Sequence, residues 1–301
     1  MTIADRVYWL HAISPLHLGA GKGNGYIDLP LMREKVTGFP FVPGSSTKGV
    51  FADLHQATEE ARDPSKAEYK RVLHAALGRG GDDAANSGAL TFTDARLICL
   101  PVRSLYGTFA WCSCPMILRR LRRDLELCGG SNLPDVSSLS SQAHAVIDRC
   151  VLAKNNIAYL EDLNITVQGC PNATGWANVI SRAVFSDEKW QTLFAERFLV
   201  LPDDLFSFLA ETGTEVQAHI RIDPDYKRVQ KGALWYEESL PAETILAGFV
   251  HCLGPYGDHG VPRDDVLKLL EGDAVVQMGG KATTGKGQVR MLFRKGDAGC
   301  L

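Results

Sequence analysis

Much of what usually betrays a function is missing from this chain. No apolar run approaches the ~18 residues of a membrane span. Asp5 and Arg6 stand where a secretory leader would build its apolar stretch, so no leader is expected. No sign of charge dominates: 32 Lys and Arg face 35 Asp and Glu, a formal net charge of −3. Any polyanionic partner must then be held by local basic surface; a surface with no such partner fits that charge equally well. Eight cysteines form no CxxC pair, and the one close pair, Cys112-x-Cys114, lies in a strand-like run. That argues for reduced thiols in a cytosolic core rather than a zinc or disulfide framework. A nucleotide-triphosphate loop is absent too. Pro43-Gly44-Ser45-Ser46-Thr47-Lys48-Gly49 has no glycine before its lysine and no hydroxyl residue after it.

At 301 residues, 45% hydrophobic and 22% charged, the chain is a globular protein that can bury a sizeable core. Residues 6–18 read as a strand, Ser45 and Ser46 as the cap of a helix, and 58–88 as a mobile insertion. Residues 89–102 and 105–112 read as strands, and 116–127 as a helix carrying Arg119, Arg120, Arg122 and Arg123. Those arginines are either a solvated face or a basic patch. The segment 129–141 is loop, and 189–208 is mainly helical. Residues 215–222 and 229–240 alternate around Asp223-Pro224-Asp225-Tyr226 and form a β-hairpin. Strands at 245–252 and 287–294 flank a helix at 263–270. Strands and helices mix without βαβ spacing, which predicts an α+β fold.

Two stretches at opposite ends of the chain combine glycine, hydroxyls and lysine. One runs from His17 to Pro30 and continues through Gly38–Gly49; the other is Gly279-Gly280-Lys281-Ala282-Thr283-Thr284-Gly285-Lys286-Gly287. Glycine admits close approach of backbone N–H groups to a phosphate, hydroxyls add hydrogen bonds and lysine adds charge. Each stretch alone also reads as an ordinary capped helix or hairpin connection. Together they point to a phosphodiester backbone. A lone acid, Asp28, sits in this cationic setting and is the place to look for chemistry; its other reading is a loop acid capping N–H groups near Gly25.

His17-Leu18-Gly19-Ala20-Gly21, Tyr26-Ile27-Asp28-Leu29-Pro30, Arg33-Glu34-Lys35, Pro43–Gly49, Thr93-Asp94-Ala95-Arg96, Gly232–Glu238 and the Gly279–Gly287 loop, in this order, resemble the RAMP superfamily of CRISPR proteins. More narrowly they resemble the repeated backbone subunit of the type III-B (Cmr) effector complex. The resemblance implies one elaborated domain over 1–301: a ferredoxin-like, RRM-type core with large insertions and a protruding hairpin, the thumb, at about 216–241. It implies a cytoplasmic protein that binds guide CRISPR RNA and complementary target RNA. It also implies stacking with further copies of itself in a helical filament beside other Cmr subunits. Target RNA would be cut once per subunit by 2′-OH attack beside a flipped nucleotide. The acid implicated is Asp28, as general base or as holder of a divalent ion, Mg or Mn, with His17 and Glu237 as secondary candidates. His17 reads equally as a buried, backbone-bonded histidine, and Glu237 and Glu238 as partners that neutralise Lys231. The RNA-contacting residues implied are Lys22, Arg33, Lys35, Ser45, Ser46, Lys48, Gly279, Gly280, Lys281, Thr283, Thr284 and Lys286. A guide-binding scaffold without catalysis and the equivalent type III-A subunit are the alternatives.

Overall fold

The run Val7-Tyr8-Trp9-Leu10-His11-Ala12 lacks polar alternation, the pattern of a strand covered on both faces. A computed structural model, which describes residues 5–21, 23, 25–56, 64–79, 86–139, 142–254 and 260–296, places it there. Strand Arg6–Ala12 lies between Ile245–Cys252 and Gln288–Arg294, antiparallel to both, and Val7 through Ala12 are all buried. On one face Tyr8 packs edge-on against Phe92, which meets Phe51 of helix Gly44–Gln56. On the other, His11 meets Phe185, at the end of helix Pro171–Val184.

From this centre the sheet runs outward past Ile245–Cys252 to Ala95–Arg103, Phe109–Ser113, Phe198–Val200, Ala143–Ala145 and the small strands at 153–169. On the other side Gln288–Arg294 pairs with Asp273–Gln277, the edge. The fold is α+β, with mostly antiparallel pairing. No helix among the described residues is long and apolar enough to cross a membrane. Seven described cysteines are free thiols, six of them buried, and burial pushes Cys99, Cys112 and Cys114 well above the usual thiol range. They are inert core residues.

Several boundaries differ from the sequence reading. The first strand stops at Ala12, before Pro15, which has no N–H to give a sheet. Helix Gly44–Gln56 begins one residue before the serines, and its Gly44 N–H donates to the Asp94 carboxylate at 2.9 Å. A residue fifty positions away therefore supplies the cap. Residues 89–102 are not one strand but two, Leu90–Phe92 and Ala95–Arg103, broken where Asp94 turns toward that helix. The segment read as a mobile insertion holds helix Pro64–Leu77, anchored by buried Val72, Leu73, Ala75 and Ala76; 58–63 and 80–85 lie outside the described residues. A strand at Phe198–Val200 divides the helices expected over 189–208.

The hairpin forms where alternation put it. Strands Glu215–Ile222 and Val229–Ser239 pair antiparallel, with a bulge between Ile220 and Ile222. Its outer half is exposed, whereas Glu237, Glu238, Ser239 and Leu240 at its root are buried. That root organises the site.

Candidate nucleic-acid cleavage site

The hairpin's second strand holds the glycine-rich loop by its backbone. Leu29 N–H donates to Tyr236 O at 3.1 Å, Glu238 N–H to Leu29 O at 3.0 Å, and Leu16 and Leu240 exchange both bonds at 2.9 Å. Asp28 is exposed, and one of its oxygens accepts the Tyr236 N–H at 2.8 Å. The acid does cap a backbone amide, but across 208 residues of chain rather than within its own loop. Its second oxygen carries no protein hydrogen bond among the described residues and remains available as an acceptor.

His17 lies just inside. It is buried, and its Nδ1–H donates to the Glu238 carbonyl at 2.6 Å. A carbonyl only accepts, so the proton is on Nδ1 and Nε2 is the free ring nitrogen. A Cβ on Gly19 would stand 3.0 Å from that nitrogen, so glycine there leaves Nε2 its space. The His17 carbonyl accepts Gly280 N–H at 3.0 Å, and Pro15 O accepts Gly287 N–H at 2.9 Å. Gly279 has φ +76°, and a Cβ on it would run into the His17 carbonyl oxygen. The two glycine-rich stretches, remote in sequence, are thus clasped to one another.

Glu237 and Glu238 project to opposite sides of the strand and do different work. Glu238 is buried and saturated: Leu31 N–H at 2.9 Å, Thr214 Oγ1 at 2.8 Å and the Arg33 guanidinium all donate to it. Burial would raise its carboxyl, but these donors hold it below the usual range. Glu237, 1% exposed, takes Lys281 Nζ at 2.6 Å and Trp235 Nε1–H at 2.7 Å on one oxygen. His219 Nε2 and Lys286 Nζ face the other at 3.4 and 3.8 Å. Burial again pushes upward, yet Lys281, Trp235 and the nearby His219 bring Glu237 down to about 2. Its partners are Lys281 and Lys286, not the Lys231 proposed from sequence.

Between thumb, glycine-rich loop and carboxy-terminal loop opens a cleft of about 620 Å³, lined by Gly23, Asp28, Leu29, Arg221, Gly232, Leu234, Trp235 and Lys281. It offers one carboxylate, two cations and an indole. Of the residues singled out in the sequence, Asp28 and Lys281 meet here, with Glu237 behind Lys281. Thr283 is exposed on the adjoining turn, where the Thr284 hydroxyl donates to Lys281 O at 2.9 Å.

Others lie elsewhere. Lys286 is buried and donates to Ser239 Oγ at 3.0 Å, facing the interior rather than solvent. Arg33 is engaged by Glu238, Gly38 O and Ala210 O. Lys35 is exposed. Ser45 and Lys48 line a separate depression of about 560 Å³ with Gly44 and Gly88. Lys48 donates to Leu90 O at 3.1 Å, Ser46 is half-buried, and Lys22 lies outside the described residues. Sequence reasoning missed Arg221, Trp235 and His219. His219 stacks on Trp235, ring centroids 5.6 Å apart, as residues paired across an antiparallel ladder do. The alternation that revealed the hairpin could have paired them; nothing local indicates that the hairpin folds over Asp28.

Comparison with known proteins agrees in extent. The RAMP superfamily model matches residues 9–290. The CRISPR system Cmr endoribonuclease Cmr4 of Pyrococcus furiosus is 30% identical over 291 residues, 95% of this chain and 94% of that protein. A crystal structure of oligomeric Cmr4 from Pyrococcus furiosus superposes with a TM-score of 0.72 at 26% identity, covering 98% of this chain and all of the other. A subunit in the cryo-EM structure of the type III-B Cmr-beta complex bound to cognate target RNA has the same fold, with a TM-score of 0.74 at 21% identity over 97% of this chain and 98% of that one.

Proposed function

The chain belongs to the RAMP superfamily, and from that membership we propose that it is the repeated, guide-RNA-binding backbone subunit of a type III-B CRISPR effector complex. In that assembly it cleaves target RNA paired to the guide. The carrying observation is the exposed Asp28 carboxylate, pinned by Tyr236 N–H in a mixed-charge cleft between thumb and body. The relative of 30% identity is an endoribonuclease by name, which supports catalysis over a scaffold role. The oligomeric form of that relative supports stacking with further copies of this chain. A near-neutral chain holds RNA best when copies align their local cations into one groove. The assembly, with its other subunits and both RNAs, works in the cytoplasm.

The chemistry follows from the donors present. Asp28 takes the proton of a target 2′-OH, and the 2′-oxygen attacks the adjacent phosphorus. The P–O5′ bond breaks, the 5′-oxygen takes a proton from solvent in the open cleft, and the products end in a 2′,3′-cyclic phosphate and a 5′-OH. Base pairing to the guide selects the target, and the protein grips backbone. His17, buried with its Nδ1–H committed to Glu238 O, supports the loop from beneath. Replacing the ribose at a cut position with 2′-deoxyribose should abolish that cut and leave neighbouring cuts intact. Cleavage that continues at the deoxy position would refute 2′-OH attack.

A divalent ion, Mg or Mn, was expected at Asp28. The described residues do not fit a resident ion: no group of three or more His, Cys, Asp and Glu is placed to hold one, and Asp28 is a single carboxylate. We propose that an ion is recruited only with RNA, whose phosphate oxygens complete its coordination. Titration of the free chain with Mn²⁺ in a calorimeter should show no stoichiometric binding; a saturable one-to-one isotherm would contradict this reading.

A further inference from the structure

Attack of the 2′-oxygen puts a second negative charge on the phosphate, and Asp28 cannot absorb it. Two cations share its cleft. Arg221 reaches it from the first thumb strand, is exposed, and makes no hydrogen bond or ion pair among the described residues. Other arginines near the cleft or core are engaged: Arg33 by Glu238, Arg96 by Asp124, Arg120 by Glu34, and Arg294 by Asp273. An unpaired guanidinium that shares a cleft with a lone carboxylate presents a planar fork of donors matched to two phosphate oxygens.

Lys281 enters from the carboxy-terminal loop under tighter control. Its backbone is left-handed, φ 68°, and its ammonium is held at 2.6 Å by an oxygen of Glu237 that Trp235 Nε1–H also holds. An ammonium has three donors; one serves Glu237, and two remain for the half-open cleft. Gly279, with no Cβ to strike the His17 carbonyl, fixes where this loop leaves the body.

We propose that Arg221 and Lys281 form a two-cation clamp on the non-bridging oxygens of the scissile phosphate, one jaw on the thumb and one on the body. The clamp rests on the cleavage reaction proposed above. In it Arg221 is a catalytic residue, and Glu237, acting through Lys281, a positioning residue. Because the jaws belong to separate elements, the stabilising geometry exists only while the thumb lies over the glycine-rich loop. The same contacts would be weaker in the ground state, where the phosphate carries one charge instead of two.

The test compares guide-loaded complexes assembled with wild-type, Arg221→Gln, Arg221→Lys, Arg221→Ala or Asp28→Asn chains, in single-turnover cleavage and in target-RNA binding. Arg221 is exposed, so these substitutions should leave the melting temperature unchanged. Arg221→Gln is expected to slow the cleavage step by about 10²-fold, the scale of one lost charge-stabilising donor, with target affinity held within about threefold. Arg221→Lys should recover part of the loss, and added guanidinium ion should partly rescue Arg221→Ala. Arg221→Gln cutting at the wild-type rate while Asp28→Asn is inactive overturns the clamp and leaves the cleavage site standing. Loss of binding that fully accounts for slower cutting also overturns it, making Arg221 a binding residue only. Wild-type rates in both Arg221→Gln and Asp28→Asn would remove the cleft itself from the chemistry.

Discussion

Complexes assembled with Asp28→Ala should bind guide and target as the wild type does and cut the target about 10²–10⁴-fold more slowly, the usual range for loss of a positioned general base. The expectation follows from how little else Asp28 holds. Its side chain is exposed, and among the described residues it makes one hydrogen bond, from Tyr236 N–H at 2.8 Å. Two backbone bonds between Leu29 and the thumb, at 3.1 and 3.0 Å, keep the loop in place without it. Stability should fall by only ~1 kcal/mol, the worth of one hydrogen bond. Asp28→Asn separates holding from chemistry. Its amide oxygen can still accept the Tyr236 N–H, but an amide cannot take the 2′-OH proton. The two variants should therefore be equally slow. An Asn variant that cuts at the wild-type rate would make Asp28 a strap between loop and thumb and move the base elsewhere.

In the proposed function a chain of net charge −3 has to hold a polyanion, and the pairing of its cations bears on how. Many of its cations are held by acids. Glu34 binds Arg120 at 2.6 Å, and Arg96 lies 2.8 Å from Asp124. Glu238 engages Arg33, and Glu237 binds Lys281. In the cleft itself Arg221 and two of the three Lys281 donors are left for a ligand, together with one carboxylate. Local field, not total charge, sets where a phosphate settles.

The hairpin was legible because strict alternation and a Pro-Asp turn are local signals, and its strands came within a residue of the expected ends. Asp28 was legible for a similar reason, as a single acid among glycines and lysines. The neighbouring lysines were not separable. Lys281 and Lys286 stand five apart in one loop and look alike in sequence, yet one reaches the cleft and the other is buried against Ser239 and Glu237. What sorts them is the thumb root, where Ser239 takes Lys286 inward while one Glu237 oxygen holds Lys281, a long-range fact that no window of the chain contains. The helix cap failed in the same way: Ser45 and Ser46 have the right chemistry, but Asp94 arrives from another strand to meet Gly44 N–H. Strand Asp273–Gln277 was missed because it lies at the sheet edge, where only one neighbour and little burial mark five residues as a strand.

Glu237→Ala should be the most destabilising single substitution in the site. The carboxylate is 1% exposed, with Lys281 at 2.6 Å, Trp235 Nε1 at 2.7 Å, and His219 and Lys286 facing its second oxygen. Removing it leaves Lys286, itself buried, without its ion-pair partner; breaking a buried pair from one side costs about 3–5 kcal/mol. For a chain of this size that lowers the melting temperature by on the order of 10 °C. Adding Lys286→Met to Glu237→Ala removes the stranded charge and should recover about half of the loss, since an apolar side chain of similar length suits that site. Acid should reproduce the effect in the wild type. The Glu237 carboxyl is lowered from 4.5 to about 2 in the folded protein, so its contribution, at most about 3 kcal/mol, is complete above pH 4.5. It is lost as pH falls from 4.5 through 2, where the folded protein must also take up the proton. Melting curves of wild type and Glu237→Ala should therefore differ most near neutrality and converge toward pH 2. A gap that stays constant over that range would mean that Glu237 stabilises the thumb root by packing alone, and that Lys281 is not held by its charge.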